Sequence, residues 1–398
     1  MKILFIVSNL KFGGMQKSLI NLTNELIKKE FEIHIQVLSN TGELIDRVNP
    51  NIKLINSNKL TAKFVDSIYI TKKEAWKKQK KSFLLKLIHK VFKEIRMEDL
   101  FFSIITSSIK QESDYDVVIS YTGMPGIWDY ITLNKYRSSQ KIAWIHNWPD
   151  ALNIRYENSN NIYEKYQGIV NVSKACKTRF DEIMPNLKMK SYVVYNLFDD
   201  LEICEKANEN DPYANFEGFK IVTVGRVECT QKKLERILDV VEKLNLDNIT
   251  NFKWYIVGDG PDRKRLEDMA VSRGLEQKLV FVGYQSNPYR FIKHADLFVI
   301  TSDFEGYCLV LIEAFILKTV SLSTSFDSAK ESVIENKTGM IVEKNVEGIY
   351  LGIKKMIEDK EFYKEIKDGL NNMNYSKEVA IDQFLKVIEY TGKRKGNI

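Results

Sequence analysis

Short apolar runs alternate with stretches of helical spacing along most of this chain. Lys2–Ser8 reads as an apolar strand, and Leu19, Leu22, Leu26 and Ile27 then recur at helical intervals. Phe31–Leu38 alternates apolar and polar as a second strand, and similar strand patterns follow at Asp116–Ser120, Lys141–His146, Gly168–Val172 and Ser191–Val194. Residues 199–218 are polar, carry Asn208-Glu209-Asn210-Asp211-Pro212 and read as a linker. A second series opens at Phe219–Gly225 and continues through Phe252–Val257, Leu279–Val282, Leu297–Thr301, Val320–Ser323 and Met340–Val342. Strand alternating with helix predicts parallel sheets covered on both faces. The expectation is an α/β chain of two doubly wound, Rossmann-like domains facing across a cleft. Their bounds are 1–198 and 219–375, and a C-terminal helical segment, 376–398, packs back on the first domain.

One region breaks the alternation. An insertion at about 60–110 contains Lys72–Arg96, in which Phe83, Leu84, Leu87, Ile88, Val91, Phe92 and Ile95 fall on one helical face. Lys86, Lys90, Lys93 and Arg96 fall on the other. Two readings stand: a helix packed on the first domain with a solvated basic face, or a helix lying on an anionic membrane surface. A nucleic-acid partner is not expected, because no aromatic-interleaved platform or known binding module accompanies the charge. The length of 398 residues suits two domains, and 44% hydrophobic with 28% charged residues is a soluble globular composition. No run of 18 apolar residues occurs, and the opening MKILFIVSNL reads as a first strand, not a signal peptide. Cys176, Cys204, Cys229 and Cys308 show no paired spacing, so a zinc or disulfide framework is not expected and a reducing cytoplasm is.

The candidate chemistry centres on Ser302–Ala314, where Glu305 and Glu313 stand eight positions apart. Glu305 falls in the loop that ends a strand, and Glu313 falls inside the helix that follows. The helix N-terminus between them offers unpaired N–H groups and the positive end of a dipole, which suits a phosphate. Glu313, about two turns on, suits a sugar or ribose hydroxyl. Gly225-Arg226 ends the first strand of the second domain and Lys232 opens its helix. They are either two exposed charges or a pair that neutralises a diphosphate leaving group. Gly13-Gly14 lacks the spacing of a dinucleotide fingerprint and is either a loop that closes on a phosphate or sugar or a simple turn. Val257-Gly258-Asp259-Gly260-Pro261 reads as a structural turn. Asp114-Tyr115-Asp116 precedes a strand and reads as punctuation, and no metal site is expected. His146 ends Ala143-Trp144-Ile145-His146 at a strand's carboxyl end, where it is either a neutral partner for a sugar hydroxyl or a satisfied buried histidine. His34, His89 and His294 read as structural. No nucleophile elbow with a Ser-His-Asp order appears, which disfavours hydrolase chemistry.

Taken together these residues resemble the retaining family-four glycosyltransferases of the GT-B fold. The matching elements are Gly13-Gly14 with its helix, Trp144-Ile145-His146, Val172-Ser173, Asn196, Gly225-Arg226 with Gln231-Lys232, Val257–Gly260, Phe281–Tyr284, Ala295-Asp296 and Glu305-Gly306 through Glu313-Ala314. The resemblance implies a nucleotide-sugar donor, with a UDP-sugar favoured and GDP-mannose the alternative, bound mainly by the second domain. It implies Arg226 and Lys232 on the diphosphate, Glu305 by the donor sugar and Glu313 on the ribose. Leu309 and Val310 would cap the phosphates through their backbone, Tyr284 and Gln285 would lie beside the base, and Gly13, Gly14, Gly225, Gly306, Tyr307 and Cys308 would complete the donor site. His146 would face sugar and acceptor, with Gln16 and Asn147 on the acceptor side. No cofactor or metal is implied beyond the donor. The implied reaction is retaining transfer of a hexose or N-acetylhexosamine to a glycan, glycolipid or cell-wall polymer in bacterial surface polysaccharide synthesis, giving an α-linkage. The implied place is the cytoplasm, peripheral to the inner face of the plasma membrane. Gln16 in place of an acid, Lys318-Thr319 in place of Gly-x-Pro, and Ser325–Ser328 without glycines depart from the family pattern and leave sugar identity open. A sugar-nucleotide epimerase of the same fold and a non-catalytic partner subunit are the competing readings.

Overall fold

The computed structural model describes residues 1–11, 13–69, 80–109, 114–123, 125–152, 154 and 162–393. Backbone contacts divide the chain into two compact units, Met1–Phe198 with Glu378–Ile398, and Asp199–Lys377.

The first unit is built on a seven-stranded sheet of β1 (Lys2–Val7), β2 (Glu32–Val37), β3 (Lys53–Asn56), β4 (Tyr115–Ser120), β5 (Ser138–Ile145), β6 (Gly168–Asn171) and β7 (Ser191–Val193), in the order β3-β2-β1-β4-β5-β6-β7. Every pairing is parallel. Parallel strands are covered on both faces and so read as unbroken apolar runs. β1 illustrates this, with Ile3 to Val7 all buried. β3 is the strand that the hydrophobic pattern did not predict. It is an edge strand whose residues are only half-buried or exposed, so no apolar run marks it.

The second unit repeats the plan with β8 (Phe219–Val224), β9 (Phe252–Val257), β10 (Leu279–Gly283), β11 (Leu297–Ile300), β12 (Ser321–Thr324) and β13 (Gly339–Val342), in the order β10-β9-β8-β11-β12-β13. These pairings are also parallel. Its core joins Trp254, Ile221 and Leu297 from the strands to Leu238, Val241, Ile349 and Ile353 from the covering helices.

Two sequence expectations are corrected here. Residues 199–218, read as a polar linker, hold the helix Asp200–Ala207 and pack in the second unit. Asp199 caps that helix by accepting the Glu202 N–H at 2.9 Å, Asn287 Nδ2 donates to Lys206 O at 2.8 Å, and the Tyr213 hydroxyl donates to Phe291 O at 2.8 Å. Buried Ile203, Ala207 and Tyr213 are too sparse among polar neighbours to announce this packing. The single apolar face expected in Lys72–Arg96 divides in two. In the helix Lys80–Glu94, Leu85 and Phe92 pack on the core, with the His89 ring 5.1 Å from Phe64. Leu84, Leu87, Ile88, Val91 and Ile95 face outward. Lys72–Gln79 and the side chain of Phe83 lie outside the described residues.

The C-terminal helix Glu378–Lys393 belongs to the first unit. Phe384 is fully buried between Phe5 and Trp144, with ring centroids 6.4 and 5.8 Å away, and the Thr391 hydroxyl donates to Gln140 Oε1 at 2.7 Å.

Candidate functional site

In an open doubly wound sheet, ligands bind outside the carboxyl ends of the strands where the strand order reverses. In the second unit that reversal lies between β8 and β11, which are neighbours in the sheet although their paired residues, Ile221 with Leu297 and Phe298 with Val222, are far apart in sequence. The loops after these two strands carry Gly225–Lys232 and Ser302–Cys308, so the topology alone brings together two distant motifs.

Backbone geometry explains the glycines after β8 and β9. Gly225 has φ +154° and Gly258 φ +143°, and a Cβ on Gly258 would stand 1.9 Å from Gly225 O. A Cβ on Gly260 would stand 2.2 Å from Val227 O. The turn Val257–Pro261 therefore serves close backbone approach, and hydrogen bonds from Gly225 N to Val257 O and from Val227 N to Asp259 O hold it there. Glu228, which sequence reasoning passed over, folds the next loop by accepting the N–H groups of Thr230, Gln231 and Lys232 at 2.9 to 3.2 Å.

This loop delivers Gln231 and Lys232 to Glu305. Lys232 Nζ donates to Glu305 Oε1 at 2.6 Å, the Ser302 hydroxyl donates to the same oxygen at 2.7 Å, and Gln231 Nε2 donates to Oε2 at 2.8 Å. Glu305 is buried, and the lysine is held beside it in an ion pair. Burial is the largest single effect on Lys232 and opposes its charge, but attraction to Glu305, Cys308 and Glu228 and the hydrogen bond to Glu305 together outweigh it and raise the ammonium above its ordinary pKa. A second pair ties the same loops, with Arg236 at 2.7 Å from Asp303 and also donating to Thr301 O at 3.0 Å. The Thr301 hydroxyl in turn donates to Lys232 O at 2.6 Å.

The helix Leu309–Ile316 opens beside this cluster, with Leu309 and Val310 in its first turn and Glu313, largely buried, in its second. A helix start leaves its first N–H groups without intrahelical partners. Cys308 precedes it, and burial pushes its thiol well above the ordinary range, which disfavours the thiolate. Gly306 and Tyr307 complete the loop. Arg226 is exposed and has no ion-pair partner among the described residues. Tyr284 and Gln285 follow β10, and Tyr284 is exposed.

The remaining candidates lie in the first unit. Gly14 begins the helix Gly14–Lys28, Gly13 is its extended N-cap residue, and Gln16 Nε2 donates to Asn9 Oδ1 at 3.4 Å. His146 and Asn147 follow β5. The His146 ring lies 4.1 Å from Tyr121 and is stacked parallel to Trp144, with centroids 5.8 Å apart. Both of its ring nitrogens are shut off from solvent and have no hydrogen-bond partner among the described residues, so it is not a satisfied core histidine. Burial pushes its pKa down to about 3, which makes it a neutral imidazole. Tyr121 is a member of this stack that sequence reasoning missed. Its signal was present, one residue after the apolar strand β4. His34 and His89 have structural partners, with His34 Nδ1 2.9 Å from the Tyr115 hydroxyl and His89 Nε2 2.6 Å from Glu98. Among the described residues no group of three or more His, Cys, Asp or Glu is arranged to hold a metal ion. Among them, too, no helix is long and apolar enough to cross a membrane.

Residues 206–372 match the family model described as "Glycosyl transferases group 1". The chain is 28% identical over 197 residues to the N-acetylgalactosamine-N,N'-diacetylbacillosaminyl-diphospho-undecaprenol 4-alpha-N-acetylgalactosaminyltransferase of Campylobacter jejuni. That match covers 48% of this chain and 52% of the relative, so the chain spans about half the length of that protein. A second transferase of the same organism, named as an alpha-1,4-N-acetyl-D-galactosaminyltransferase acting on a diphospho-undecaprenol-linked glycan, is 24% identical over 98% of both chains. Among solved structures, HepE of Anabaena in complex with UDP-glucose is 15% identical, with a TM-score of 0.68 over 100% of both chains. The architecture of the two units is the GT-B fold.

Proposed function

We propose that this chain, which belongs to the group 1 glycosyltransferases, moves a hexosyl or N-acetylhexosaminyl group from a UDP-sugar to a glycan or lipid-linked acceptor with retention of anomeric configuration. The observation that carries this reading is the clamped Glu305 at the switch point of the second unit, beside the start of the helix Leu309–Ile316. A diphosphate at that helix start would meet backbone N–H groups and the positive end of the dipole, with Arg226 and Lys232 as cations. Glu313, one turn deeper, suits the ribose hydroxyls, and Tyr284 with Gln285 suits the base.

The state of Glu305 bears on the mechanism. A carboxylate has about four lone-pair sites, and three donors already occupy this one. A nucleophile that trapped the sugar covalently would have to shed those bonds. We therefore assign Glu305 to holding Lys232 and the donor sugar, and the departing diphosphate to taking the acceptor proton on the same face. In that step the C1–O bond to phosphate breaks, the acceptor oxygen bonds C1, and its proton passes to a phosphate oxygen. His146, neutral and with free ring nitrogens, suits a sugar hydroxyl as donor or acceptor. The names of the two Campylobacter transferases support an N-acetylgalactosaminyl donor and a diphospho-undecaprenol-linked acceptor.

Calorimetric titration with UDP, GDP and ADP, followed by incubation with UDP-sugars and a diphospho-polyprenol-linked glycan, tests this reading. UDP binding, UDP release and an α-linked product by NMR are expected. Absence of binding to every nucleoside diphosphate overturns the donor assignment, a β-linked product overturns retention, and an epimerised nucleotide sugar without transfer overturns the transferase reading.

A further inference from the structure

The β2–β3 edge of the first unit borders a cavity of about 340 Å³, lined by Gln36, Lys53, Ile55 and Ser57 and by the rings of Tyr115 and Tyr136. It is separate from the end of the sheet that carries His146. Tyr136 precedes β5 and His146 follows it, and the eight residues of that strand span roughly 26 Å. Ser57 follows β3, four places from β5 in the sheet order, or roughly 19 Å at the usual strand spacing. Most polar side chains around the cavity are already bonded. His34 meets the Tyr115 hydroxyl at 2.9 Å and Glu32 at 3.1 Å. The Asn40 amide holds the Ser57 backbone from both sides, accepting its N–H at 3.0 Å and donating to its carbonyl at 2.7 Å. Asn58 Oδ1 accepts the N–H groups of Leu60 and Thr61 at 2.8 Å. Two lining residues differ. Gln36 is 1% exposed and Ser57 6%, yet neither Gln36 Oε1 nor Ser57 Oγ has a hydrogen-bond partner among the described residues. Buried polar atoms are ordinarily bonded because leaving one unbonded is costly, so two such atoms on one cavity point to a ligand.

We propose that this cavity binds one saccharide unit, at a site apart from the one proposed for transfer. The chemistry of the lining selects that ligand. A sugar hydroxyl donates and accepts at once, so it satisfies the amide oxygen of Gln36 and the hydroxyl of Ser57 alike. Beside these polar atoms stand Tyr115 and Tyr136, in edge-to-face contact with ring centroids 5.6 Å apart, and the core residues Ile55 and Ile109. Apolar and aromatic walls with a few placed polar groups are the usual make-up of a small-molecule site, and they suit the C–H face of a sugar ring. Exposed Lys53 adds a donor and has no ion-pair partner among the described residues. None of the lining residues is acidic, so a metal ion or an amine finds no counter-charge. Small-molecule sites run from about 300 to 1,000 Å³, and a cavity at the low end suits a single sugar, not a whole nucleotide sugar. On the transferase reading such a site holds a sugar of the glycan away from its reacting end. The binding itself follows from the cavity's own chemistry and does not require that reading.

Saturation-transfer NMR of the full chain with N-acetylgalactosamine, N-acetylglucosamine, galactose and glucose, each with and without UDP, is the test. At least one of these sugars receives saturation from the native chain, and UDP leaves that signal unchanged. Ser57→Ala removes a hydroxyl that bonds nothing in the protein, so it keeps the native thermal melt. It weakens sugar binding about three- to tenfold, the effect of one neutral hydrogen bond. Adding Gln36→Leu abolishes the signal, and both variants keep the native rate of UDP-sugar hydrolysis. Ser57→Ala alone decides the matter if the double variant fails to fold. Absence of saturation transfer to all four sugars overturns the proposal, as does a signal that Ser57→Ala leaves at native strength, which belongs to another site. Binding of inorganic phosphate that Ser57→Ala weakens, with no sugar bound, assigns the cavity to an anion and also overturns it. Because hydrolysis is read separately, loss of sugar binding with retained hydrolysis leaves the transferase reading untouched.

Discussion

Replacing Lys232 by methionine isolates the part of the site on which the functional reading rests. The ammonium and the Glu305 carboxylate are 2.6 Å apart in a buried setting. With an effective dielectric near 20, two unit charges at that separation attract by about 6 kcal/mol. Desolvation removes several kcal/mol for each ion, so the pair as a whole is close to neutral for stability. Removing one partner is different. The Lys232→Met variant leaves Glu305 buried with only the neutral donors Ser302 and Gln231, and breaking a buried pair in this way costs about 3–5 kcal/mol. For a unit of this size that corresponds to roughly a 10 °C fall in melting temperature, at about 2–4 °C per kcal/mol. Glu305→Gln added to Lys232→Met removes the stranded charge and keeps hydrogen bonds to Ser302 and Gln231, so the double variant recovers most of the loss. Urea titration of all four proteins, with the transition of the second unit followed by Trp254 fluorescence, gives the coupling energy directly. The double variant should remain inactive in transfer. A single Lys232→Met protein that unfolds at the native urea concentration, or a double variant less stable than either single one, refutes the reasoning.

Arg226 is exposed and unpaired among the described residues, so Arg226→Ala should weaken UDP binding about tenfold with an unchanged melt, and calorimetry at two salt concentrations should show a reduced salt dependence. Glu313→Ala should weaken UDP binding by about 1.5–3 kcal/mol, the usual range for a hydrogen bond to a charged group, while deoxyuridine diphosphates lacking a ribose hydroxyl should be affected less. His146 makes the first unit acid-sensitive. Its folded pKa is depressed to about 3, so below the ordinary value of 6.5 the unfolded chain takes up a proton that the folded chain refuses, and stability falls as pH falls. The loss should approach about 2 kcal/mol at pH 5, at about 1.4 kcal/mol per pH unit, and His146→Gln should flatten that slope in urea titrations between pH 5 and 7. Gly258→Ala should destabilise the second unit by several kcal/mol, because its Cβ would stand 1.9 Å from Gly225 O at φ +143°, and circular dichroism melts would register it.

Legibility in the sequence followed burial. The strands of both sheets announced themselves because parallel strands are covered on two faces, and Ile3–Val7 or Trp254–Val257 can be nothing but core. β3, half-covered at an edge, and the helix Asp200–Ala207, with few apolar residues, left no such run. Period alone also misread Lys80–Glu94, since spacing marks apolar residues on a helix without saying which arc the core covers. At the candidate site, Glu305 and Glu313 were legible as a local pattern around a helix start. The hydrogen bonds that define Glu305 were not, because Gln231 and Lys232 lie 74 and 73 positions away and meet it only through the β8–β11 crossover.

The buried pair is also the point at which fold and function meet. A well-packed apolar pair in place of Lys232 and Glu305 would be as stable or more so, so stability does not explain the ions. What they do is couple two loops. Lys232 is delivered by the Glu228-capped loop after β8, Glu305 by the loop after β11, and Arg236–Asp303 and Thr301–Lys232 tie the same two segments. On the proposed donor reading, an ammonium already held by one carboxylate would carry little net charge toward an incoming diphosphate, which would leave exposed Arg226 to supply attraction and Lys232 to supply position. That division suits a leaving group that must be released after transfer as well as gripped during it. The transition state, in which negative charge grows on the departing phosphate, would draw Lys232 more strongly than the bound donor does, and stabilisation of that kind raises the rate without deepening the ground state.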